Sequence, residues 1–83
     1  MTAAEADQLI TRLSNGESFA TRFQEQEWGL EALSDGSFRE WRYDASAEPP
    51  DDRSEDVLTE AQLRAKLMRD YSFEVMAARF RPA

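Results

Sequence analysis

Ala6, Leu9, Ile10 and Leu13 recur at spacings of three and four residues, with mostly polar residues between them. That period puts four apolar side chains on one stripe of an α-helix. Thr2 and Glu5 precede the stripe as a T-x-x-E capping box, in which each side chain accepts a hydrogen bond from the other residue's backbone amide. Asn15-Gly16 follows as a stop, because glycine takes up the left-handed backbone on which many helices end. The pattern predicts a helix of about 12 residues.

From Ser18 the period changes to two. Phe19, Thr21 and Phe23 alternate with Ala20, Arg22 and Gln24, and Trp28, Leu30 and Ala32 alternate with Glu27, Gly29 and Glu31. Beyond Asp35-Gly36, Arg39, Trp41 and Tyr43 alternate with Phe38, Glu40 and Arg42. Asp-Gly between alternating runs is a hairpin signal. A two-residue turn there sets Leu30 opposite Trp41 and Trp28 opposite Tyr43. A two-residue turn at Glu25-Gln26 sets Phe23 opposite Trp28 and Thr21 opposite Leu30. Both registers gather Phe19, Thr21, Phe23, Trp28, Leu30, Ala32, Trp41 and Tyr43 on one face, as a single core requires. The other face is expected to be wet and to carry Arg22, Gln24, Glu27, Gly29, Glu31, Phe38, Glu40 and Arg42.

Residues 45–56 contain Pro49-Pro50 and almost nothing apolar, and they read as a loop. Thr59 with Gln62 forms a second capping box, and Leu63, Leu67, Met68 and Tyr71 make a second helical stripe. Phe73, Met76, Ala77 and Phe80 fit a short helix capped by Ser72, although Tyr71, Phe73 and Val75 also alternate as in a strand. The architecture expected is a single α+β domain over residues 1–83. An N-terminal helix leads into a three-stranded antiparallel meander, and one or two C-terminal helices pack on the same face, with an acidic loop at 45–56.

Composition changes the picture mainly by exclusion. The 83 residues include neither histidine nor cysteine. There is therefore no imidazole or thiolate for catalysis, no nitrogen- or sulfur-ligated metal, and no disulfide. P-loop, dinucleotide-binding and nucleophile-elbow motifs are missing. Asp51-Asp52-Arg53-Ser54-Glu55-Asp56 lacks the alternation and the glycine of an EF-hand. Paired carboxylates can hydrolyse glycosides, but only in a deep cleft, which a chain burying about 60–65% of its unfolded surface has little material to build. No enzyme activity, metal or cofactor is expected. The first residues include Glu5 and Asp7 where a signal peptide needs a basic patch, and the longest apolar run, 75–78, has four residues. These features point to a cytoplasmic protein without a membrane segment. Nine of the ten basic residues are arginine, as in proteins from G+C-rich bacterial or phage genomes.

Charge adds a candidate site. The net charge of −7 divides into −4 over residues 1–43, −6 over 44–60 and +3 over 61–83. Asp51, Asp52, Glu55 and Asp56 are either a solvated loop or a lure for a basic partner, since a dense patch of one sign steers association. Their spacing also approaches that of phosphates along a nucleic-acid strand. A second candidate surface is the wet sheet face, where Arg22 and Arg42 flank Gly29 and Phe38 points outward as an anchor. Arg64, Lys66, Arg69, Arg79 and Arg81 read as solvated helix positions. Direct nucleic-acid binding is not expected from so acidic a chain without a basic stripe. The reading is a small protein-interaction module, a regulator or inhibitor that works by binding a protein partner of basic character. One alternative is an acidic DNA mimic, of the anti-restriction or anti-CRISPR kind. Another is a homodimer paired through a sheet edge, rather than a monomer.

Overall fold

The computed structural model describes the backbone of residues 1–23, 25–44 and 52–82, and the side chains there of all but Phe23, Asp52 and Arg53. The chain runs α1 (Ala3–Ser14), β1 (Ser18–Phe23), β2 (Gln26–Ala32), β3 (Phe38–Asp44), β4 (Asp52–Leu58), α2 (Glu60–Asp70), α3 (Phe73–Ala77) and β5 (Phe80–Arg81). The α+β class matches the sequence pattern, but the sheet has five strands instead of three, all antiparallel, in the order β4-β3-β2-β1-β5.

Both long helices begin where local chemistry fixes them. The Glu5 amide donates to Thr2 Oγ1 at 3.1 Å while the Thr2 amide donates to Glu5 Oε1 at 2.9 Å. Thr59 and Gln62 repeat the same exchange at 3.1 and 2.9 Å. Each box satisfies two amides that the helix itself leaves without partners. Gly16, at φ 96°, ends α1. The stripe Ala6, Leu9, Ile10 and Leu13 is buried and meets Leu63 and Leu67 of α2, Met76 of α3, and Phe19, Leu30 and Phe38 of the sheet. Arg64 Nε donates to Asp7 Oδ1 at 2.6 Å, tying α2 to α1 at the surface. Met68, expected on the α2 stripe, is instead exposed.

The strands depart from the expected registers in two ways. β1 pairs with β2 as Phe19↔Leu30 and Thr21↔Trp28, two residues from the expected register. A shift of two preserves which face each side chain occupies, so Phe19, Thr21, Trp28 and Leu30 still share the helix-covered side. β2 and β3 pair as Leu30↔Glu40, Gly29↔Trp41 and Trp28↔Arg42, one residue from the expected register. A shift of one turns the whole strand over. Its cause lies in the loop. The Leu33 amide donates to the Ser37 carbonyl at 2.8 Å, so three residues, Ser34, Asp35 and Gly36, make the connection rather than two. Gly36 takes φ 86°, as the last residue of such a loop requires. Asp35 Oδ1 accepts from both the amide and the hydroxyl of Ser37, which holds its carboxyl below the usual range.

Two further expectations are corrected. The loop expected at 45–56 gives way to strand at Asp52, and β4 pairs with β3 through Phe38↔Leu58 to Asp44↔Asp52. Residues 45–51 lie outside the described residues. The helix expected across 72–80 ends at Ala77, after which Phe80 returns to pair with Phe19 as β5. Phe80 also carries the Arg12 guanidinium 4.6 Å above its ring.

Gly36 has open space where a Cβ would sit, so only its backbone conformation resists substitution. Gly36→Ala is expected to lower stability by about 1 kcal/mol, measured as a shift of the urea midpoint at unchanged m-value. An unchanged midpoint would show that this glycine is not what sets the loop.

Candidate functional site

The inversion of β3 rearranges the candidate groups on that strand. Phe38, Glu40 and Arg42 turn toward the helices, and Arg39, Trp41 and Tyr43 turn to the face that no described helix covers. Phe38, expected as an outward anchor, is buried in the core. Arg42 is also off the expected face. It stands at the helix side, where its Nη2 lies 3.8 Å from Glu40 Oε1.

Glu40 occupies a position that burial would normally reserve for an apolar residue. It is 3% exposed, and both carboxylate oxygens lie 2.6 Å from Lys66 Nζ. Trp28 Nε1 donates to Oε2 at 3.0 Å. A buried carboxylate is tolerated only when its oxygens are met in this way. The bond also orients the Trp28 ring, which meets Phe19 edge-on at 4.8 Å and stacks on Tyr71 at 4.7 Å and 15°. Beyond this aromatic wall, Thr21, Arg42, Asp44 and Ser54 border an open groove of about 460 Å³.

The uncovered face is built around Trp41. Gly29 lies directly opposite it on β2, and a Cβ at Gly29 would come within 2.3 Å of Trp41 Cε2 and Cζ2. The indole therefore lies against the glycine backbone, which explains a glycine in mid-strand. Around it the charges are interleaved. The Arg39 guanidinium joins Glu31 at 2.7 Å to Glu55 at 2.8 Å across three strands. Arg22 stands 4.0 Å from Glu27. Exposed pairs of this kind contribute under about 1 kcal/mol each, so they hold side chains in place more than they stabilise the fold. Hollows of about 510 and 430 Å³ flank the ring, the first toward Arg39 and Glu55 and the second toward Arg22 and Arg81. Val57, 64% exposed, adds an apolar residue at the β4 margin.

The residues expected to act together are thus divided. Arg22 and Glu55 share the uncovered face, with Glu55 already joined to Arg39, while Asp56 is exposed on the opposite side of β4, across from Glu40. Asp52 begins β4, and Asp51 lies outside the described residues. The alternation of Trp41 and Tyr43 with their neighbours predicts a core position for both. The signal pointing the other way was Ser34-Asp35-Gly36, which suits a three-residue loop as well as Asp-Gly suits a two-residue one. Gly29 was the second signal, as a strand glycine with room for a large ring.

Among the described residues no group of three or more acidic side chains is placed to hold a metal ion, and no helix is long and apolar enough to cross a membrane. No protein-family model, curated protein or solved structure matches the chain.

Two substitutions test this geometry. Lys66→Met removes the partner of a buried carboxylate and is expected to cost about 3 kcal/mol in chemical denaturation, with Glu40→Gln in the same chain recovering most of the loss. Gly29→Ala is expected to lift the Trp41 ring from the sheet, raising its accessibility to acrylamide quenching and shifting its indole amide resonance. An unmoved Trp41 signal would contradict the seat assigned to it.

Proposed function

We propose that this protein is a small cytoplasmic interaction module that binds a protein partner through its uncovered sheet face, with Trp41 as the anchor. The observation that carries the reading is the seating of Trp41 on Gly29 at the centre of that face. A tryptophan held flat and only half-buried offers a large contact area at little further entropy cost, and binding hot spots are rich in Trp, Tyr and Arg. Tyr43, Arg22 and Arg39 surround it with the same residue types. Val57, exposed on the same face at the β4 margin, adds an apolar contact beside the ring. Acting by regulation or inhibition rather than catalysis fits a chain with no histidine or cysteine. The nucleic-acid mimic has less support, because Glu55 is committed to Arg39.

Capture from a lysate of the source cells tests the reading. Immobilised protein is expected to retain a stoichiometric partner at about 0.15 M salt. Trp41→Ala, with far-UV circular dichroism unchanged, is expected to weaken retention at least about 30-fold, the loss typical of a hot-spot residue. Retention at full strength by Trp41→Ala would overturn the proposal. If neutralising Glu55 and Asp56 abolished binding while Trp41→Ala did not, phosphate mimicry would replace it.

A further inference from the structure

The two edges of the sheet carry opposite charge. At one edge, residues 52–58 of β4 hold Asp52, Glu55 and Asp56 against Arg53, a net of −2. Ser54, Glu55, Asp56 and Val57 are exposed, and no described strand lies beyond them. At the other edge, β5 covers only the start of β1, through Ser18↔Arg81 and Phe19↔Phe80. The backbone of residues 20–23 therefore meets no described strand on that side. Arg22, Arg79 and Arg81 are exposed there, and with Glu74 they give residues 18–23 and 73–81 a net of +2. Between residues 20–22 and 78–81 the edge is notched by a hollow of about 340 Å³.

We propose that a second copy of this chain adds its β4 to the free half of β1, so that the sheet continues from one molecule into the next. A strand edge presents unpaired N–H and C=O groups that a further strand can satisfy. Which strand docks is decided by sign. β4 against β4 sets −2 against −2, and the basic edge against itself is equally unfavourable. Only the unlike pair joins edges of opposite net charge, with Asp56 on the helix side of the joined sheet and Arg22 on its uncovered face. Direction agrees as well. β4 is antiparallel to β3, and β3 runs the same way as β1, so β4 of the next copy meets β1 antiparallel with its helices on the same side of the sheet. About four residues of β1, some 13 Å of strand, are available for the pairing, which makes the contact weak and its charges decisive. A head-to-tail contact of this kind does not close at two molecules, because each addition leaves one edge of each sign open. The contact does not use the Trp41 ring, and although Arg22, Glu55 and Arg81 border both surfaces, Trp41→Ala separates it from the partner binding proposed above.

Sedimentation velocity on the purified chain over a rising concentration series is the test. The weight-average mass is expected to climb above the 9.5 kDa monomer at low salt, without a plateau at the dimer, and to return to the monomer in about 0.5 M sodium chloride. Arg22→Glu/Arg81→Glu makes both edges acidic, and Ser54→Arg/Asp56→Arg makes both basic. Each variant alone is expected to remain monomeric with unchanged circular dichroism, and an equimolar mixture is expected to associate again. The Trp41→Ala chain should assemble like the parent. A monomer at every concentration, a plateau at the dimer, growth insensitive to salt, or folded variants that fail to associate on mixing would each overturn the proposal. The salt series on the parent chain decides the matter even if one variant fails to fold.

Discussion

Gly36, at φ 86°, completes a three-residue loop, and that odd number decides which side of the sheet each residue of β3 faces. With a loop of two, Trp41 and Tyr43 would go under the helices, and Phe38 and Glu40 would go out to water. With three, Phe38 joins Phe19 and Leu30 beneath α1 and α2, and Trp41 comes to rest on Gly29. β4 inherits the choice. Its pairing with β3 sends Leu58 toward the core and leaves Val57 in solvent. One loop residue thus determines what the core contains and what the uncovered face presents.

Glu40 bears on the same choice. Burying a carboxylate carries a desolvation cost of several kcal/mol, and a well-packed apolar residue would often serve stability better. Here Lys66 and Trp28 offset that cost, but only in this register. Moving β3 by one residue would leave Lys66 facing an indole and Trp28 without an acceptor. The cluster therefore favours one pairing of β3 over its nearest competitor, with a directional requirement that apolar packing alone does not impose. Through Trp28 it also reaches Tyr71, so the register of the sheet and the position at which α2 ends are linked by one stack of rings.

How much of this could be read from the residues depends on how local each determinant is. Thr2 with Glu5 and Thr59 with Gln62 act within four residues, and both helices begin where their capping boxes predict. The faces of β1 and β2 were legible despite a register error, because an error of two leaves alternation intact. β3 was not, because Asp35-Gly36 suits loops of either length and the two lengths differ by one. β4 has only Val57 and Leu58 as apolar residues, and its extended form comes from pairing with β3 rather than from its own composition. Of the candidate surface, the exposure of Arg22 and Glu55 was legible from their charge. Trp41 was not, since a tryptophan alternating with polar neighbours reads as core until the turn fixes its side.

The uncovered face follows from how far the helices reach. Five strands spaced about 4.8 Å apart make a sheet roughly 20 Å wide, and two helices about 10 Å in diameter cover one side of it. Among the described residues nothing is left for the second side. A sheet face in water is ordinarily kept polar, and here the Arg39–Glu31–Glu55 and Arg22–Glu27 groups do so. Trp41 departs from that pattern. A smaller polar residue would leave the face more soluble and would spare β2 a glycine that costs roughly 0.5–1 kcal/mol in a strand interior. Neither the core nor the sheet's hydrogen bonding requires an indole at this position. What it supplies is an apolar platform seated on Gly29 at the centre of a charged surface, and the proposed partner binding rests on that feature.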